Sequence, residues 1–198
     1  MLNRQTPPCR LPLPLALGLL LVLLAGGLCF AVRPSVAADS PRLELDDVSM
    51  ELDNQLLRLR SSLSLENSTP VRKQLQDGAQ MGLTCTLSLE RVNTFHNSEV
   101  ASTTSLFMLR HDPLTREFVM SSGEAKSQMR YLVPLIEQSW QETPLELPLP
   151  APLEPGEYRL ILHLTLELTD VPPWMAKTLF FWSWEVATPL TYTQTFKI

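Results

Sequence analysis

Beyond residue 40, apolar residues recur at every second position along most of the chain, the signature of strands with one buried face. Leu57, Leu59, Leu63 and Leu65 alternate with Arg58, Arg60, Ser62 and Ser64. Tyr158, Leu160, Leu162, Leu164, Leu166 and Leu168 predict one long strand, and Trp182, Trp184, Val186, Leu190, Tyr192 and Phe196 predict a last one. Between Leu43 and Leu52 the phase slips at Asp46-Asp47: Leu43 and Leu45 are odd, whereas Val48, Met50 and Leu52 are even. A β-bulge there restores a single buried face. Asp53-Asn54 predicts the turn into the next strand. His111-Asp112-Pro113 predicts another, between strands around Phe107 and Phe118, because Asn, Asp and Pro favour turn backbones.

Two stretches change to the helical period. Ser68-Thr69-Pro70 predicts a cap and a first-turn proline, followed by Val71, Leu75 and Ala79 on one face and Gly82 as a stop. Met129, Leu132, Val133, Ile136 and Trp140 repeat at helical spacing, and Pro134 inside them marks either the start of that helix or a kink. Each apolar stripe is expected to pack on the sheet. From Pro144 to Pro155, prolines interleave with Leu145, Leu147, Leu149 and Leu153, predicting an extended, PPII-like connection whose leucines cover a sheet edge. The expected order is strand, strand, helix, three strands, helix, long loop, two strands. Strands that follow one another pair as hairpins. The fold class is therefore α+β, mainly β: an antiparallel sheet or sandwich with two short helices packed at its side or end.

The first 37 residues follow neither pattern. Arg4 and Arg10 precede an apolar run from Leu11 to Val32, and Ser35-Val36-Ala37 or Val36-Ala37-Ala38 supplies the small residues a signal peptidase reads. This predicts a signal peptide over residues 1–37, cleavage at Ala37 or Ala38, and one β-rich domain over residues 38–198 in the periplasm or outside the cell. The run is about 22 residues, long enough to span a bilayer. A retained inner-membrane anchor over residues 11–32 is the alternative, and it leaves the domain on the same side. Losing Arg4, Arg10 and Arg33 leaves 13 cations against 21 anions, a net charge of −8. That argues against binding nucleic acid or anionic lipid through bulk charge. Cys9 and Cys29 leave with the signal, so Cys85 has no disulfide partner. It shares a strand face with Leu83, Leu87 and Leu89 and is expected to be buried.

Candidate chemistry is sparse. His96, His111 and His163 are far apart in sequence, and none has metal-ligand spacing. There is no glycine-rich phosphate loop, no Gly-x-Ser-x-Gly elbow and no His-Glu-x-x-His. No catalytic, metal or cofactor residue is assigned. Asp46, Asp47, Glu137 and Glu142 are expected on a solvated surface, and Asn67-Ser68-Thr69 reads better as a turn and cap than as a glycosylation site. The segment from Val171 to Trp184 carries three of the four tryptophans. Within it, Trp174, Met175, Leu179 and Phe181 form a candidate interaction tip, suited to a partner groove or a membrane interface. Folding back to plug the end of a sandwich is the competing role.

Leu75-Gln76-Asp77-Gly78, the run from Leu83 to Val92, Arg110-His111-Asp112-Pro113-Leu114-Thr115-Arg116-Glu117-Phe118, and Gly156-Glu157-Tyr158-Arg159-Leu160 through Asp170-Val171-Pro172 stand in an order that resembles the DUF4390 family of exported bacterial envelope proteins, a domain of unknown function. The likeness covers nearly the whole domain and departs from it in the tryptophan-rich segment and the proline run. It carries over no catalytic or binding residue. It implies a periplasmic accessory to a membrane signalling protein such as a sensor kinase. The expected function is a non-enzymatic binding or accessory domain of the bacterial envelope, with a membrane or envelope protein as partner. Membrane contact is expected only through the N-terminal segment or the aromatic tip. An enzyme or small-ligand receptor with a site dispersed in sequence, and a membrane-associated structural protein, are the alternatives.

Overall fold

Leucine alternation builds two antiparallel sheets in a computed structural model of the chain, which describes residues 40–169 and 185–198. The smaller sheet joins β1 (Arg42–Asp53), β2 (Leu56–Glu66) and β7 (Leu145–Pro148) in the order β1-β2-β7. The larger joins β3 (Met81–Arg91), β4 (Ser98–Asp112), β5 (Glu117–Ser122), β6 (Ala125–Met129), β8 (Glu157–Leu168) and β9 (Leu190–Lys197) in the order β6-β5-β4-β3-β8-β9. Helix α1 (Thr69–Gln76) follows β2, and α2 (Leu132–Glu142) follows β6. The fold is α+β and mainly β, as the alternation predicts.

Leu57, Leu59, Leu63 and Leu65 of β2 share one core with Leu83, Leu87 and Leu89 of β3 and with Leu160, Leu162, Leu164 and Leu166 of β8. The two longest ladders fix this register. Leu87 lies opposite Leu162, and Leu83 opposite Leu166. A one-residue slip would turn all of these side chains to solvent, so the burial itself specifies the pairing. The bulge falls where the phase shift predicts it: the β1–β2 register breaks between Asp46 and Ser49, and Asp47 takes a left-handed φ of 52°. Asn54, at φ 48°, carries the tight turn that pairs Asp53 with Leu56.

The structure corrects several boundaries. Four strands, not three, lie between the helices. Strand β6 reads Ala-Lys-Ser-Gln-Met and has almost no apolar alternation; it is set by the hairpin at Gly123, whose φ is 57°. The proline stretch begins as a strand rather than a PPII connection. Leu145 pairs with Leu59 and Leu147 with Leu57, while Glu146 and Pro148 face solvent. Proline is compatible with this because β7 is a sheet edge. Helix α1 stops at Gln76, and Gly78, at φ 98°, redirects the chain. Gly82 is not the stop but the second residue of β3, where a Cβ would lie 2.9 Å from Thr169 Cγ2. Ser68 supplies its carbonyl to Arg72 N–H at 2.9 Å, but its side chain makes no cap hydrogen bond. Met129 belongs to β6, and α2 starts at Leu132. Pro134 therefore sits in the first turn, two residues after the helix begins, where the amide it lacks would have had no partner, so it neither starts the helix nor kinks it.

Helix α2 packs on β2, β5 and β6, filling the space that the narrow three-stranded sheet leaves uncovered. Trp140 reaches from it into the core, 5.8 Å from Phe107 between ring centroids, and its Nε1–H donates to Ser61 Oγ at 3.1 Å. Among the described residues no helix is long and apolar enough to cross a membrane.

Candidate binding cleft

The candidate tip, Trp174, Met175, Leu179 and Phe181, lies outside the described residues, as do Trp182, Trp184 and the expected cleavage positions Ala37 and Ala38. The remaining chemistry is placed by the sheets. His163 stands on the outer face of β8, with Nδ1 2.9 Å from Thr191 Oγ1. His96 is in the β3–β4 loop, and His111, at the end of β4, lies against Phe118 with the rings tilted by 54° and their centroids 5.1 Å apart. The topology keeps the three apart. Around His163 the outer face of the six-stranded sheet is rich in hydroxyls, including Thr86 paired with Thr104 at 3.3 Å. Along β1, Glu44 is raised above the usual carboxylate range, first by the neighbouring charge of Glu66 and then by desolvation.

Cys85 is 1% exposed in the centre of β3. Burial pushes its thiol from 9.0 up to about 12. At pH 8 the thiolate fraction is then roughly a thousandfold below that of a solvated cysteine, so disulfide exchange with Ellman's reagent should be slow in the native protein and fast in urea. The proton is held more tightly in the folded state, so the associated stability is intact below about pH 9 and is lost as pH rises towards 12. Cys85→Ala should remove that alkaline component. Equal native and denatured labelling rates would contradict the burial.

Three concavities stand out among the described residues. One, of about 260 Å³, lies beside the β1 bulge and includes Asp47, Arg60 and Trp140. A second, of about 250 Å³, lies behind α2, where Ser139 is 6% exposed and its hydroxyl has no partner among the described residues. The third is the largest, about 360 Å³, between α1 and the corner where β6 enters α2.

Two arginines line this third cleft. Val71 and Leu75 point α1 into the core, which turns Ser68, Arg72 and Gln76, one helical turn apart, towards the cleft. Opposite them, Arg130 and Tyr131 occupy the corner, and Phe118, Leu132 and Pro134 supply apolar walls. Tyr131 is 69% exposed. Elsewhere Arg58 is matched by Glu146 at 3.1 Å and Arg91 by Glu154 at 2.7 Å. Neither Arg72 nor Arg130 forms an ion pair or side-chain hydrogen bond with another described residue. The first turns of α1 and α2 contain no acidic residue, and neither helix has a side-chain cap. Their unpaired amides add partial positive charge to that of the guanidiniums.

Sequence reasoning did not find this cleft. The two arginines are far apart in the chain, and no local motif marks either one. The only local signal is the polar stripe Ser68, Arg72, Gln76 beside the apolar stripe of α1.

No curated protein and no solved structure matches the chain. The family model described as Domain of unknown function (DUF4390) matches residues 40–194, and the chain belongs to that family.

Proposed function

We propose that this domain is a non-enzymatic binding or accessory module of the bacterial envelope, exported by its N-terminal segment and working beside a membrane protein such as a sensor kinase. The observation that carries this reading is how the interior is used. The space between the sheets is filled by leucines from β2, β3, β7 and β8, all nearly inaccessible. Among the described residues no Asp, Glu, Lys, Arg or His side chain is buried; they lie on outer faces, rims and loops. Recognition is thereby left to the surface, to the aromatic segment around Trp174 and to the clefts.

A photo-crosslinking residue placed at position 174, and separately at the exposed Thr193 of β9, tests the reading in cells. One dominant adduct with a membrane protein, identified by mass spectrometry, is expected from at least one position. A lipid adduct alone would replace the reading with a membrane-associated structural role. No adduct from either position would overturn it. The Arg72–Arg130 cleft favours a second reading, a receptor for a small ligand.

A further inference from the structure

We propose that the cleft between α1 and the β6–α2 corner binds a small amphiphilic oxyanion, a phosphate or carboxylate head on an apolar body, with Arg72 and Arg130 holding the head and Tyr131 and Pro134 packing against the body. Unpaired exposed arginines such as Arg60 and Arg110 occur elsewhere on the surface. Arg72 and Arg130 differ in facing one concavity together. Fork-shaped guanidiniums bind phosphate and carboxylate oxygens two at a time, which selects a planar or tetrahedral oxyanion over a point charge.

The charge balance strengthens this assignment. In a chain whose anions outnumber its cations, 21 to 16, an arginine near a carboxylate is readily neutralised. Arg58 and Arg91 are, but neither cleft arginine is. No acidic side chain lines the cleft to oppose an incoming anion. Its volume, about 360 Å³, suits a small molecule rather than a folded partner. Tyr131, Val133 and Pro134 present accessible apolar surface in the cleft, which a bare inorganic ion would leave unused.

This inference deepens the binding reading above by naming a ligand class. Isothermal titration calorimetry on the full chain, purified in a nonionic detergent, tests it with phenyl phosphate, phenylacetate and, as a neutral control, benzyl alcohol. Saturable binding of at least one anion is expected, tighter than benzyl alcohol and weakened by added salt. Arg72→Gln and Arg130→Gln should each weaken it about tenfold or more, from the loss of a charge-assisted contact. Arg159→Gln, on β8 away from the cleft, should leave it unchanged. Both cleft residues are exposed, so unaltered circular dichroism is expected to accompany the loss. Absence of saturable binding by both anions, or binding indifferent to both cleft substitutions, would overturn the assignment. Binding of phosphatidylglycerol vesicles that needs both arginines, with no binding of the soluble anions, would also overturn it and put a lipid headgroup in the small molecule's place. Failure here with the crosslinked adduct intact removes only the cleft's role, whereas loss of the adduct with the anion still bound removes only the accessory role.

Discussion

Leu162→Ala should lower the free energy of unfolding by about 3 kcal/mol, within the range for a leucine truncated in a packed core. Leu162 is fully buried in β8, opposite Leu87 on one side and Tyr192 on the other. Its side chain lies in the layer where the two sheets share their leucines, so removing three carbons leaves a cavity that neighbouring strands cannot close without breaking register. For a domain of this size the midpoint of thermal unfolding should fall by about 6–12 °C. The adjacent Ile161 points to the opposite, partly exposed face. Ile161→Ala should cost at most about 1 kcal/mol, since that face is already wetted. Urea unfolding followed by circular dichroism separates the two. Equal losses at 161 and 162 would contradict the assignment of inner and outer faces.

The same alternation explains how much of the fold could be read in advance. Strand β8 was legible because each even position carries a leucine or tyrosine and, Ile161 apart, each odd one a polar side chain. The bulge was legible because Asp46-Asp47 shifts the phase without ending the strand. Strand β6 was not, because its neighbour β5 and the Gly123 turn hold it in place, and its own residues bury little. Strand β7 was hidden by its prolines, whose missing amides do no harm at an edge. The helix limits slipped for another reason. Met129 and Ala79 keep the helical spacing, but the chain has not yet entered α2 at the first and has already left α1 at the second, and spacing alone does not report a backbone turn such as that at Gly78. The cleft was illegible in a stronger sense. Arg72 and Arg130 become neighbours only because α1 and the β6–α2 corner pack at the same end of the sheet, and topology, not local pattern, decides that.

Trp140→Ala should be among the most damaging single changes outside the strands, costing about 3–5 kcal/mol. Trp140 is 3% exposed, and it ties α2 to both sheets at once: its ring lies against Phe107 of β4 while its indole N–H reaches Ser61 of β2. Two intermediate variants separate packing from the hydrogen bond. Trp140→Phe keeps an aromatic body against Phe107 but cannot donate, and should cost about 1–2 kcal/mol from the lost bond and the lost ring area. Ser61→Ala should cost about 1 kcal/mol or less, because Ser61 is only half-buried and the indole N–H is the group left without a partner. In the double variant the losses should fall short of their sum by about 0.5–1.5 kcal/mol, the coupling of a single hydrogen bond. Strict additivity would mean that the contact contributes nothing beyond packing, and α2 would then be held by its apolar stripe alone. A coupling of the expected size would make Trp140 a specific latch on β2. It fixes how far α2 can shift, and with it the position of the Arg130–Tyr131 corner that precedes the helix and forms one wall of the cleft.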